Sequence, residues 1–208
     1  MRARVGHGVV GAIAALTLMG CTAGEAAPED TAGGGAAASS PLATGVPVAT
    51  AALVDAGGNE VGDVQMLPEG DALRVVVDVT GMEPGFHALH VHAVGECDPE
   101  SSPPDDPTRT GAFLSAGGHV GADDDPHGSH AGDLPSLRVL ADGTGRLQAV
   151  TDALTDADLL DEDGSAVMVH AGRDNFANVP ERYAPQGPDQ ETLDTGDAGG
   201  RVACGVLE

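Results

Sequence analysis

The sequence predicts an all-β protein, built as an eight-stranded antiparallel Greek-key barrel or sandwich with long functional loops. Short segments rich in Val, Leu and Ala alternate with turns rich in Gly, Pro and Asp, which is typical of many short strands rather than of helices. The 208 residues include 31 Gly and 14 Pro but only three Phe, one Tyr and no Trp. We therefore expect one domain, preceded by a leader, with a core made mainly of aliphatic side chains.

The leader begins with a segment that we interpret as a signal peptide at residues 1–20. Arg2 and Arg4 are followed by an apolar run that ends near Leu18. Such a run suits an export signal but is too short to cross a bilayer core of about 30 Å. The ending Leu18-Met19-Gly20-Cys21 resembles a bacterial lipoprotein processing site, which would make Cys21 the lipid-bearing first residue. The alternative is an ordinary signal peptide that leaves Cys21 a free thiol.

Residues 21–45 contain Ala, Gly, Thr, Ser and Pro and almost no large apolar side chain. Such a segment cannot bury enough surface to offset the entropy lost on ordering. We therefore expect a flexible, lipid-anchored linker ahead of a folded domain at residues 46–208. The protein would be exported, as a cell-envelope lipoprotein on the outer side of the cytoplasmic membrane or in the periplasm.

Eight segments of the domain have the composition and length of strands. They comprise residues 46–54, 61–67, 73–79, 85–92, 136–140, 146–150, 166–170 and 201–207. Tight turn signals separate the first three strands, which predicts an antiparallel meander. Residues 155–160 follow the pattern of a short helix start, with acids in the first turn. Residues 96–110 and 172–200 are rich in Pro, Gly and acids and are expected to be long loops.

The formal net charge is −24, and the chain contains no Lys. A field of that sign repels nucleic acids and anionic membrane surfaces, so we expect no nucleic-acid partner and membrane contact only through an anchor at Cys21. We interpret the acidity as an adaptation for solubility or for a salty or exposed setting. Beyond Cys21 the chain has two cysteines, Cys97 and Cys204. In an oxidising compartment this even pair predicts a disulfide bond.

Histidines carry the functional signal of the sequence. His90 and His92 lie two positions apart, so on a strand their side chains share one face while Val91 points to the other. Seven of the eight histidines fall between His87 and His170. Any single one could be a hydrogen-bonded structural residue, but imidazole nitrogens are common ligands of copper and zinc. Their concentration in one stretch predicts a metal site.

The order of these motifs resembles that of the copper–zinc superoxide dismutases in their bacterial exported form. The matching segments cover most of the predicted domain: GFHALHVH at 85–92, GEC at 95–97, AGGH at 116–119, HAGDLP at 130–135, MVH at 168–170, DN at 174–175 and GRVACGV at 200–206. The resemblance implies the same β fold. It also implies an enzyme that disproportionates superoxide to oxygen and hydrogen peroxide at a copper redox site, with zinc as a structural partner.

The resemblance also implies roles for individual residues. The copper ligands would be His90, His92, His119 and His170, and the zinc ligands would be His119, His127, His130 and Asp133. His119 would bridge the two metals and supply a proton during turnover. The remaining implied roles are a hydrogen-bonding link from Asp174 to His90 and His127, a guanidinium beside the copper from Arg201, and the disulfide of Cys97 and Cys204. His87 is interpreted as structural.

One departure from the family affects the zinc site. His127 and His130 are only three positions apart, whereas the family has a longer loop between the corresponding ligands. Gly128 would permit the tight turn that the shorter loop requires, and we expect zinc to bind. Two alternatives stay open. One is a copper-only dismutase, in which the acids at 123–125 fill a solvated loop, and the other is a lipoprotein that sequesters copper or zinc without turnover.

Overall fold

The computed structural model describes residues 45–123 and 125–208, and these residues form eight strands and two short α-helices. The strands are β1 Ala49–Asp55, β2 Glu60–Glu69, β3 Ala72–Val79, β4 Gly85–His92, β5 Asp133–Val139, β6 Gly145–Thr151, β7 Ala166–His170 and β8 Arg201–Val206. The helices are α1 Asp156–Leu159 and α2 Gln190–Thr195, and a 3₁₀ turn spans Leu114–Ala116. Each predicted strand is present, with ends that differ by at most three residues. The predicted signal peptide, Cys21 and all of the predicted linker except Gly45 lie outside the described residues.

The strands close into an antiparallel barrel in the order β1-β2-β3-β6-β5-β4-β7-β8. β1, β2 and β3 form the predicted meander, and β8 pairs with β1 to complete the ring. The chain passes from β3 to β4 without pairing these two strands, so that β6 lies beside β3 and β4 lies between β5 and β7. This order confirms the predicted all-β Greek-key fold.

The barrel interior is aliphatic, as the composition predicts. Leu89 and Val91 of β4 are fully buried and belong to one cluster with aliphatic side chains of the other strands. Because neighbouring side chains on a strand point to opposite faces, this orientation directs His90 and His92 to the outer face of the barrel wall. Both histidines are nevertheless at most 1% exposed, because the long connections between strands lie over that face.

The two α-helices differ in how far the sequence predicts them. α1 begins as expected, with a capping box in which the Asp158 carboxylate accepts hydrogen bonds from the Thr155 amide and hydroxyl. α2 lies within residues 172–200, where we expected only a loop, and that expectation is wrong for these six residues. The Asp189 carboxylate caps α2 by accepting from the Thr192 amide at 3.0 Å. A helix of this length has no apolar periodicity to reveal it.

The predicted disulfide is present and joins Cys97 to Cys204, with Cα atoms 5.7 Å apart. It connects the loop after β4 to the middle of β8. Ser101 and Gly111 close the same loop at its base through two backbone hydrogen bonds. The disulfide therefore fixes the start of this loop to the barrel, and the two backbone hydrogen bonds close the rest of the loop on itself. Within the described part of the chain, no helix is both long enough and apolar enough to cross a membrane.

Candidate metal centre

β4 organises the centre because it lies between the two strands that complete it. On one side, His90 is paired across the sheet with Asp133 at the start of β5. On the other side lies β7, which ends at His170. The loop after the 3₁₀ turn returns to the same place, where His119 forms an isolated β-bridge with His92. Residues that are far apart in the sequence thus meet on one outer face of the barrel.

Four buried histidines form a first cluster. Each offers a ring nitrogen, and these nitrogens lie within 4.8 Å of one another: His90, His92, His119 and His170. Three ring nitrogens of the cluster, His90 Nδ1, His92 Nε2 and His170 Nε2, are buried and have no hydrogen-bond partner. A buried polar atom without a partner costs free energy. A metal ion satisfies several such lone pairs at once, so these residues fit one.

The opposite nitrogen of each of these three rings is held by an oxygen acceptor. The acceptors are Asp174 Oδ2 for His90, Gly117 O for His92 and Gly199 O for His170, at 2.8, 2.8 and 3.1 Å. Because carbonyl and carboxylate oxygens only accept, each bond places the ring proton on the nitrogen that faces the acceptor. The partnerless nitrogen is therefore a free lone pair, which is the form that binds a metal.

Burial keeps three rings of this cluster, those of His92, His119 and His170, uncharged. Burial is the largest cause of the low pKa of His92, and it lowers the pKa of His119 to about 4 and that of His170 to about 3. The positive charge of Arg201 lowers the pKa of His92 further, and a hydrogen bond to Asp133 only partly offsets burial at His119. All three rings are neutral at pH 7, so a metal ion need not displace a proton from them.

A second cluster adjoins the first and shares His119. The Oδ1 atom of Asp133 lies 2.9 Å from His119 Nδ1, 3.2 Å from His127 Nδ1 and 3.4 Å from His130 Nδ1. The Nδ1 atoms of His119 and His130 are 3.2 Å apart. A tetrahedral zinc site with bonds of about 2.0–2.1 Å has ligand atoms about 3.3 Å apart. These four spacings fit zinc, and His90 also lies within 4.8 Å of the ligand atoms of His119, His127 and Asp133.

The short segment between His127 and His130 brings both side chains to this second cluster. Gly128 turns the chain with φ +88, a left-handed conformation that glycine adopts without steric cost. Its amide and that of His130 donate to Asp133 Oδ2 at 2.6 and 3.1 Å. Asp133 therefore holds the turn with one oxygen and faces the three rings with the other. The described acids of the preceding stretch, Asp123 and Asp125, are exposed.

Asp174 connects the two clusters. Its buried carboxylate has Oδ2 2.8 Å from His90 Nε2 and Oδ1 2.8 Å from His127 Nε2. Burial would raise the pKa of Asp174, but the bonds to the two histidines outweigh it and hold the pKa well below its usual range. Burial would likewise lower the pKa of His127, yet bonds to Asp133 and Asp174 raise it to about 9. The carboxylate is thus a charged link between a ring of each cluster.

Arg201 lies at the edge of the first cluster. Its Nη1 and Nη2 atoms donate to the carbonyl oxygens of Phe113 and Gly117 at 2.5 and 2.6 Å. The Gly117 oxygen also accepts from His92 Nδ1, so a single carbonyl joins the guanidinium to a ring of the cluster. Burial lowers the pKa of Arg201 to about 10, helped by the charge of Arg109, and the side chain stays positive at neutral pH.

Sequence reasoning missed two supports of this centre. One is the carbonyl of Phe113, whose residue has φ 59, a conformation uncommon for any residue but glycine. The other is the detailed role of His87, expected only to be structural. Its Nδ1 and Nε2 each lie 2.8 Å from a backbone carbonyl, those of His170 and Glu83. The position of His87 beside the His-x-His motif indicated that it lies near the centre. Its partners could not be predicted, because they are backbone carbonyls and every residue has one.

Comparisons with known proteins agree with this geometry. The family model described as Copper/zinc superoxide dismutase (SODC) matches residues 60–207. A protein named Superoxide dismutase (Cu-Zn) from Mycolicibacterium paratuberculosis is 43% identical over 183 residues, which are 84% of this chain and 79% of that protein. One of the same name from Mycobacterium tuberculosis is 49% identical over 141 residues, 64% of this chain and 58% of that protein. The solved structure of Cu/Zn superoxide dismutase from Brucella abortus is 28% identical, with a TM-score of 0.60, and the match covers 76% of this chain and 98% of that one.

Proposed function

The chain belongs to the copper/zinc superoxide dismutase family, and we propose that it works with both metals, copper in the first cluster and zinc in the second. The reaction is the disproportionation of superoxide to oxygen and hydrogen peroxide, so the protein is an oxidoreductase. The family's metals are copper and zinc. What is proposed is the role of each residue and the occupancy of the second cluster.

The copper assignment rests on one observation, the convergence of three buried lone pairs on His90, His92 and His170. In this proposal His119 supplies the fourth nitrogen. Imidazole nitrogens suit copper in either oxidation state. Copper bound there would supply the one-electron chemistry by alternating between Cu(II) and Cu(I). The protein's own part is to hold the four rings in place, with the outer nitrogens of His90, His92 and His170 tied to oxygen acceptors.

His119 belongs to both clusters and is the proposed acid. Its Nδ1 atom lies among the ligand atoms of the second cluster, which leaves Nε2 for the first. We assign to Nε2 a proton that it takes up from solvent in one half of the cycle and passes to the peroxide product in the other, while solvent supplies the second proton of hydrogen peroxide. Zinc bound at Nδ1 would supply a fixed positive charge that anchors the ring while Nε2 changes its partner.

Arg201 is the proposed binding residue for the anionic substrate. A guanidinium has five N–H donors. Arg201 uses one on Nη1 and one on Nη2 to bond to the carbonyls of Phe113 and Gly117, so three N–H donors are available for an anion. The side chain is partly buried and charged, so it can attract an anion more strongly than an exposed arginine could. Its link through Gly117 to His92 positions it beside the proposed copper.

Metal analysis paired with a superoxide-consumption assay tests the proposal. Protein purified without added metal is expected to contain copper and zinc and to consume superoxide. The His92→Ala variant should lose copper and activity but keep zinc, and the His130→Ala variant should lose zinc but keep copper. Each variant serves as the control for the other, because both remove one imidazole from a buried histidine cluster.

Other outcomes would support the rival functions. Copper without superoxide consumption would favour a lipoprotein that sequesters metal. Copper and activity without zinc would favour a copper-only dismutase, in which solvent must deliver the proton assigned to His119. A protein that takes up neither metal would overturn every metal-based function considered.

We also propose that the protein is exported and anchored by lipid at Cys21, at the outer side of the cytoplasmic membrane or in the periplasm. The support is the pair Arg2 and Arg4, the short apolar run and the ending at Cys21. The Cys97–Cys204 disulfide fits an oxidising compartment. Metabolic labelling with a radioactive fatty acid should mark the protein, and the Cys21→Ser variant should not be labelled. Equal labelling of both would exclude this anchor.

A further inference from the structure

His127 is held by the segment between β7 and β8 as well as by the short loop that carries it. Its backbone N–H donates to the carbonyl of Leu193 near the end of α2, at 2.8 Å. Its Nε2 atom lies 2.8 Å from Asp174 Oδ1. Its ring stacks on Phe176, with centroids 6.4 Å apart and planes inclined by 20°. These contacts come from three different residues of one segment.

Gly196, which ends α2, leaves the space that this arrangement needs. Its φ is +61, and its amide donates to the Thr192 carbonyl at 3.0 Å. Its own carbonyl accepts from the Asn175 amide at 3.0 Å, so its position is fixed on both sides. A Cβ atom at this position would overlap both Asp174 Oδ1 and His127 Nε2. A side chain at 196 and the Asp174–His127 hydrogen bond therefore cannot occupy the same space.

The loop that carries His127 fits the same segment from its other side. A Cβ atom at Gly128 would lie 2.7 Å from the carbonyl oxygen of Phe176, closer than such atoms can approach without movement. Phe176 itself has φ 54, a strained conformation for a non-glycine residue, and this conformation places its ring on His127. Two glycines and one strained backbone position thus let the segment approach His127 closely.

We propose that Gly196 is a positioning residue for the zinc ligand His127, and that the end of α2 takes over the support that a longer loop would give. The absence of a side chain at Gly196 keeps the Asp174–His127 bond in place, and that bond sets the direction of the His127 ring. The inference rests on the zinc assignment made above. It adds a residue with no metal-binding atom of its own to the set that determines zinc affinity.

The pair of variants Gly196→Ala and Gly187→Ala tests this proposal. Both glycines lie between β7 and β8 and have left-handed backbones, with φ +61 and +85, but a Cβ at Gly187 has nothing within 4 Å. Both substitutions therefore carry the backbone penalty, and only the first adds the overlap. The measurement is the zinc dissociation constant of the copper-loaded protein, obtained by competition with a chelator.

We expect Gly196→Ala to raise the zinc dissociation constant by about 10- to 100-fold, the usual cost of disturbing a residue that orients a ligand. Gly187→Ala should leave the constant unchanged. Co²⁺ bound in place of zinc should also show a weaker and shifted visible band in Gly196→Ala, because that band reports how nearly tetrahedral the site is. A general loss of stability would not change the band of the folded fraction.

A second variant covers the case in which Gly196→Ala fails to fold. Phe176→Ala removes the stacked ring without adding an overlap, and we expect a smaller rise in the same constant and a shift of the cobalt band. If the folded variants have the zinc affinity and the cobalt spectrum of the wild type, this inference is overturned while the zinc assignment stands. A wild-type protein that takes up no zinc would overturn the zinc assignment, and this inference with it.

Discussion

Removal of the Cys97–Cys204 disulfide should strongly destabilise the fold, mainly because the cross-link no longer restricts the unfolded chain. The bond joins residues 107 positions apart. Chain-entropy bookkeeping for a loop of that length gives about 4.8 kcal/mol at 25 °C, because the unfolded chain loses that much freedom when cross-linked. With a urea dependence of about 2 kcal/mol/M for a domain of this size, the unfolding midpoint should fall by roughly 2 M.

The comparison uses metal-free protein, so that ligand binding does not contribute to stability, with Cys21 replaced by serine throughout. Unfolding in urea is followed by far-ultraviolet circular dichroism, since the chain has one Tyr and no Trp. The Cys97→Ala, Cys204→Ala double variant is the test protein; alanine avoids placing a hydroxyl beside the buried Phe113 and Met168. The reference protein with reductant should match the variant, and reductant should not affect the variant. A midpoint shift below about 0.5 M would refute the loop-entropy argument.

The remaining predictions concern the substrate, the link between the clusters, and the core. Arg201→Ala should lower the second-order rate constant roughly tenfold and flatten its dependence on ionic strength, with metal content unchanged. The control is Arg146→Ala, because the Arg146 side chain is exposed. An unaltered rate in Arg201→Ala would remove Arg201 from the mechanism. Asp174→Asn should raise the zinc dissociation constant about 10- to 100-fold, because an amide oxygen can replace only one of the two carboxylate acceptors; chelator competition measures this, and an unchanged constant would mean that the link is not needed. Leu89→Ala should cost roughly 3–5 kcal/mol in the free energy of unfolding, and Leu160→Ala, at an exposed position, less than about 0.5 kcal/mol; equal costs in urea titrations would contradict the assigned core.

The sequence predicts the barrel well because alternation along a strand is a direct consequence of which face is buried. β4 is the clearest case, since Leu89 and Val91 pack inside the barrel while His90 and His92 lie outside it. α2 is not predicted, because its six residues form one turn and a half and are positioned by a cap and by packing against His127. Local patterns alone cannot reveal a helix of that kind.

The side chains of the candidate site follow from the sequence better than their supports do. A histidine or carboxylate is visible as a residue type, whereas Arg201 and His87 are held by backbone carbonyls, which every residue possesses. Gly196 is visible only as one of 31 glycines. Its role depends on the atoms that a Cβ at this position would meet, which are those of Asp174 and His127. These atoms are brought there by the packing of two long connections, which the local sequence does not specify.

The role proposed for Arg201 would explain how a protein with a net charge of −24 can bind an anion. Within residues 45–123 and 125–208, Arg74 and Arg146 form ion pairs with carboxylates, but Arg201 bonds to neutral carbonyl oxygens and forms no ion pair. The other charged group that acts on its pKa is the guanidinium of Arg109, which has the same sign. At physiological salt, charges beyond about 8 Å are largely screened. In the proposed mechanism, superoxide close to Arg201 would therefore respond more strongly to this guanidinium than to acids that lie beyond that distance.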